Sequence, residues 1–196
     1  NKEDLARFYK MEADNGSDFY MTKYADLLYD GVYVKQNKKI AAHYYKMAAE
    51  NDNSLANCKY HYMLYKGEGM KADKKGAMKF FKKEIESFNH HAMHYYALIL
   101  YTDNGDKQEA ARYFKMAIDQ GNEQSLYYYG LMLYNGDGVR MDKEKAAVYF
   151  YLAMEDGKNE EARKMYNLML DNGECSEIEF YGIDELTDYL SFQCVN

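Results

Sequence analysis

The chain has 196 residues with 23 Tyr, 9 Phe, 13 Met and no Pro, a length that suits one domain with a continuous core. The lack of proline excludes collagen-like and proline-rich linker architectures, and the periodic return of Tyr and Met excludes a disordered chain. A net charge of −7 argues against general nucleic-acid binding, and no apolar run approaches the ~18 residues that span a bilayer.

No secretory signal opens the chain; it starts at Asn1 and not at methionine, so its first residues are expected to be processed away or not included. Cys58, Cys175 and Cys194 share no regular spacing. Sparse, odd cysteines point to reduced thiols and an intracellular, cytoplasmic setting. Charge is uneven: residues 1–98 hold 16 basic and 13 acidic side chains, residues 99–196 hold 9 and 19.

The pairs Phe8-Tyr9, Tyr44-Tyr45, Phe80-Phe81, Tyr113-Phe114 and Tyr149-Phe150 recur at spacings of 36, 36, 33 and 36, which marks an internal repeat. In chain order, residues 1–16 predict the second helix of a partial repeat, opened by Asn1 and stopped at Gly16. Residues 17–52 form the first full repeat, with Tyr24-Ala25 and Leu28-Tyr29 on its first helix and Asn37 capping its second. Residues 53–88 repeat this with Tyr60, Leu64-Tyr65, the turn Gly67-Glu68-Gly69 and the cap Asp73. Residues 89–121 place Tyr96-Ala97 and Leu100-Tyr101 ahead of a shorter turn, Thr102-Asp103-Asn104-Gly105, and the cap Asp106. Residues 122–157 carry Tyr129-Gly130, Leu133-Tyr134, Gly136-Asp137-Gly138-Val139, the cap Asp142 and the stop Gly157. Residues 158–172 read as a degenerate repeat whose register dissolves after Leu170. Residues 173–196 read as a C-terminal capping helix, with Ile183, Leu186 and Leu190 on one face.

Asn and Asp cap helices because their side-chain oxygen accepts an orphan backbone N–H of the first turn. A small residue, Ala41, Ala77, Ala110 or Ala146, follows each of the last four caps and suits a close helix crossing. Each repeat is therefore a pair of antiparallel helices of about 13–15 residues, and one pair cannot cover its own apolar face without neighbours. The expected fold is all-α: a single α/α right-handed superhelical solenoid of about five helix pairs over residues 1–196.

The run Ser125…Tyr129-Gly130…Leu133…Gly136…Gly138-Val139…Asp142…Lys145-Ala146…Tyr149-Phe150…Ala153…Gly157 resembles the Sel-one-like repeat, a relative of the tetratricopeptide repeat. The likeness covers residues 1–172 and is most specific over 123–158. It departs at Leu28, Leu64, Leu100 and Leu133, where the family has tyrosine, and at Tyr33, which replaces the second turn glycine. The resemblance implies a non-catalytic adaptor for a protein or peptide held in a concave groove. The groove would be lined by first helices: Thr22, Asp26, Tyr29, Cys58, Tyr62, Tyr65, His91, His94, Leu98, Tyr101, Tyr127, Leu131, Tyr134, Arg163 and Asn167. Tyr29, Tyr65, Tyr101 and Tyr134 form a ladder that either meets the partner or packs between first helices, and His91 with His94 could make affinity vary between pH 7 and 6.

Other features are weighed as follows. The Gly-x-Gly turns lack a preceding strand and a following Gly-Lys-Ser/Thr, so they read as positive-φ turns and not as phosphate loops. His90 and His94 are four apart with Glu86 upstream, but Phe88-Asn89 separates the helices, and no cofactor or metal is expected. Cys58 and His61 make no nucleophile–base pair on one helix, and no enzyme is expected. Lys71, Lys74, Lys75, Lys79, Lys82 and Lys83 are either a solvated helix face or a dock for an acidic surface. Alternative readings are a structural subunit held by its outer surface and, from another class, a small-molecule or metal-binding accessory. Oligomeric state is not legible.

Overall fold

A computed structural model of the chain describes residues 2–155 and 159–178. Among these residues there are ten helices and no strand: α1 (Lys2–Asp14), α2 (Asp18–Asp30), α3 (Lys38–Glu50), α4 (Ser54–Lys66), α5 (Lys74–Glu86), α6 (His90–Thr102), α7 (Lys107–Asp119), α8 (Gln124–Asn135), α9 (Lys143–Met154) and α10 (Glu160–Asp171). Each has 12 or 13 residues, close to the expected length. None is long and apolar enough to cross a membrane. The expected cap Asn1, the stop Gly157 and the capping-helix residues Ile183, Leu186 and Leu190 lie outside the described residues, as does Cys194.

The caps form as expected. Asn37, Asp73, Asp106 and Asp142 each accept the backbone N–H three residues on, from Ile40, Gly76, Glu109 and Lys145, at 2.8–3.1 Å. A second row caps the first helices: Ser17, Asn53 and Asn89 accept N–H groups of Tyr20, Ala56 and Ala92. First helices close on left-handed glycines, Gly31, Gly67 and Gly136 at φ 71–74°. Second helices are followed, in register, by Gly16, Asp52, Phe88 and Gly121, all at positive φ. The repeat demands that backbone; only two of the four positions hold the residue that adopts it without strain.

The chain divides into two compact units, Asn1–Tyr95 and Tyr96–Asn196, the division falling within α6. In the first, α2 packs on α1 and α3, and α4 on α3 and α5; in the second, α8 packs on α7 and α9, and α10 on α9. The small residues Ala41, Ala77, Ala110 and Ala146 are wholly buried, as are Phe81, Phe114 and Phe150, the second member of their aromatic pairs. Alanine at the crossing lets the next ring fill the layer. One expectation is corrected. The register does not dissolve after Leu170: Gly173, at φ 66° and followed by Glu174, repeats the turns Gly67-Glu68 and Gly136-Asp137.

Candidate functional site

The tyrosine ladder sits at the last turn of the first helices, and the lysine that begins each second helix lies against it. In the first unit the Tyr29 hydroxyl donates to Glu68 Oε2 at 2.6 Å. Lys38 Nζ binds Oε1 of the same carboxylate at 2.7 Å and lies 4.6 Å from the Tyr29 ring centroid. The second unit repeats the arrangement twice. Tyr101 donates to Asp137 at 3.4 Å, with Lys107 at 2.5 Å from that carboxylate. Tyr134 donates to Glu174 at 2.9 Å, and Lys143 pairs with Glu174. Lys74 lies 4.8 Å from the Tyr65 ring, matching the lysine half of the motif.

Each complete latch joins a first-helix tyrosine and a second-helix lysine to an acid in the following turn, 36–40 residues beyond the tyrosine. Burial pushes the Glu68 carboxyl up, but the hydrogen bonds from Lys38 and Tyr29 outweigh it and leave the group below its ordinary value. Burial, then the adjacent carboxylate, raises the Tyr29 and Tyr101 phenols. Sequence reasoning missed this latch. Its signal was present: lysine follows each of the four later caps, as Lys38, Lys74, Lys107 and Lys143, and an acid follows the turn glycines at Glu68, Asp137 and Glu174.

The rest of the expected groove is mixed. Tyr62 is half-buried, its ring 5.3 Å from Tyr95, with Lys66 Nζ 5.9 Å from its centroid. Asp26 accepts from Tyr45 at 2.5 Å and pairs with Lys59, whose side chain is only 15% exposed. Tyr127 is half-buried against Tyr128 and Phe150. Thr22, Cys58 and Leu98 are buried, so they line no open surface.

His91 is half-buried and His94 only 3% exposed. Burial first, then neighbouring histidines and Lys59, pushes His91 down to about 4 and His94 to about 3. Both therefore stay neutral from pH 7 to 6, and the expected titration in that range does not occur. Glu86 ends α5 while His90 opens α6. Among the described residues no three His, Cys, Asp or Glu side chains are grouped to hold a metal ion.

Burial raises the Cys58 thiol, which opposes thiolate chemistry. The His61 Nδ1 lies 2.9 Å from the Asn57 carbonyl, an acceptor that requires Nδ1 to carry the proton, and its ring stacks on Phe80 at 3.6 Å.

The Sel1 repeat model matches four stretches of the chain, residues 19–53, 54–83, 90–122 and 124–158. The fold is similar to that of a Sel1 repeat protein from Oxalobacter formigenes, at 24% identity and a TM-score of 0.57, covering 81% of this chain and 65% of that one. It is also similar to a protective antigen of uropathogenic Escherichia coli strains with an SLR fold, at 20% identity and a TM-score of 0.52, covering 87% of this chain and 37% of that one. The chain thus spans less than two thirds of either relative. No curated protein matches it. Repeats of this kind typically build protein-interaction scaffolds without catalytic activity.

Proposed function

Because the chain belongs to the Sel1 repeat family, we propose that it is a non-catalytic scaffold whose first-helix faces hold a protein or peptide segment. The observation that carries this reading is the half-buried polar and aromatic face of the first unit: the Asp26–Lys59 pair, tied to Tyr45, stands on the same helices as the half-buried Tyr62. Rigid helices that fix a charged pair beside an aromatic ring suit orientation of an extended ligand. In the second unit Tyr127 takes the aromatic role. Tyr29, Tyr101 and Tyr134 offer half-buried ring surface, whereas Tyr65 is buried and offers none, and His91 and His94 support the face as neutral groups. With three ladder hydroxyls engaged in latches, recognition falls to rings and to Tyr62 and Tyr127.

The test uses the partner recovered by cross-linking from native lysate. Tyr62→Ala and Tyr127→Ala, each checked by circular dichroism for intact helix, are expected to weaken partner binding by ~2 kcal/mol at whichever anchor is central. Folded variants that both keep full affinity would refute the first-helix reading.

A further inference from the structure

Helix α5 carries the densest run of cations in the chain. Lys75, Lys79 and Lys82 stand at i, i+4 and i+7, one stripe of a helix, with Lys83 beside it and Lys71 in the preceding turn; all five are exposed. On other second helices, the lysine in register with Lys82 is answered by an acid four residues on: Lys10 by Asp14 at 2.5 Å, Lys46 by Glu50 at 3.9 Å, and Lys115 by Asp119. Lys82 has Glu86 at the same offset, yet no ion pair joins them. None of the five lysines is paired with any described residue within 4 Å.

A second observation lies two residues past the end of the helix. Phe88 holds φ 57° and is 67% exposed, at the register position that Gly16, Asp52 and Gly121 fill elsewhere. A bulky side chain in the left-handed region, offered to water, is retained against local preference, and such outliers collect at binding surfaces.

We propose that the solvent face of α5 and Phe88 form a docking surface for an acidic protein segment that carries an apolar side chain. The stripe from Lys75 to Lys82 is about 10 Å long at the helical rise, a length matched by acids on successive turns of a short partner segment. Lysines steer and pair the acids; Phe88, beyond the C-terminal end of the stripe, gives the apolar contact. Asp73, Glu84 and Glu86 on and beside the same helix, with a net charge of −7, oppose an extended polyanion or an anionic bilayer more than they oppose a short segment. This surface does not depend on the first-helix reading.

The probe is a fluorescein-labelled helical peptide with glutamates at i, i+4 and i+7 and one leucine, titrated against the full chain by fluorescence anisotropy at low and at high salt. Saturable binding that weakens with salt is expected. The double charge reversal Lys79→Glu/Lys82→Glu should lower affinity ~10-fold or more. Phe88→Gly, which relieves the backbone and so keeps the fold, should lower it ~10-fold with the salt dependence retained, and the charge reversal Lys39→Glu, at an exposed position of α3, should leave it unchanged. No saturable binding by the wild-type chain, or wild-type affinity retained in either α5-surface variant, would overturn the proposal. So would tighter binding to phosphatidylserine vesicles or duplex DNA, or salt-sensitive self-association lost in the lysine variant, each of which assigns the surface to another occupant.

Discussion

The latch between Tyr29, Lys38 and Glu68 makes a measurable demand on stability. Tyr29→Phe removes one hydroxyl donor, at 2.6 Å from a carboxylate, and leaves the ring, its lysine and the Lys38–Glu68 pair in place. A hydrogen bond to a charged group contributes ~1.5–3 kcal/mol net when well buried. The Lys38 and Glu68 side chains remain 32% and 27% exposed, and solvent screening puts the loss at the lower end, ~1–1.5 kcal/mol.

For a chain of this size that is a drop of ~2–6 °C in Tm. Urea unfolding of wild type, Tyr29→Phe, Glu68→Gln and the double variant closes a cycle, and the expected coupling is ~1 kcal/mol. The Glu68 carboxyl is held below its ordinary value in the fold. Its contribution is therefore complete above the unfolded value of ~4.3 and is lost as pH falls through the folded one, so the wild type and Tyr29→Phe should converge in acid. A coupling below ~0.3 kcal/mol at neutral pH would refute the latch. The same variant speaks to function: if the hydroxyl serves the latch, Tyr29→Phe changes stability and leaves partner affinity alone.

Three further outcomes are expected. His94 is depressed to about 3 by burial, so the unfolded chain takes up a proton near pH ~6.5 that the fold refuses. Stability should fall by up to ~1.4 kcal/mol per pH unit from this group as pH drops from ~6.5 toward the folded value, and His94→Gln should flatten the Tm–pH profile; an unchanged slope would contradict the burial of a neutral imidazole. A Cβ at Gly138 would lie 2.3 Å from the Lys107 backbone, whereas one at Gly121 meets nothing within 4 Å, although both have positive φ. Gly121→Ala should cost ~1–2 kcal/mol for the backbone alone and Gly138→Ala ~1–3 kcal/mol more for the clash; equal melting temperatures would refute the close approach of the turn to α7. Phe88→Gly should raise stability by ~0.5–1 kcal/mol, since relief of the left-handed strain exceeds the entropy cost of glycine; a lower Tm would show that the phenylalanine packs more than its exposure implies.

The repeat and its caps were legible because their causes are local. Asn37 and Ile40, or Asp142 and Lys145, sit within one turn of each other, so residue type and spacing state the interaction. The latch was not legible by that route, because Tyr29 meets Glu68 across 39 residues and the acid is Glu in one turn and Asp in another. Burial of Thr22, Cys58 and His94 was missed for a related reason. They recur at one register position, yet a helix in a repeat has three contact faces, toward its pair and toward each neighbour, and a period of 36 does not say which face a column occupies.

That ambiguity also explains why the ladder looked like a binding surface. A residue kept in every repeat can serve the partner or the neighbouring repeat, and only the identity of what it touches separates the two. Where the contact is another column of the same repeat, as with Tyr134 and Glu174, recurrence measures how one repeat joins the next. Recognition then falls to the columns that vary. Asp26, Tyr62 and Leu131 share one register position with three different side chains, and Asp52, Phe88 and Gly121 share another. A scaffold whose repeats are joined by a constant latch can change these positions independently, because stability in such arrays is nearest-neighbour in character. On that argument, and under the proposed scaffold reading, substitutions at the departures from the repeat, and not at its most regular residues, are expected to change partner binding.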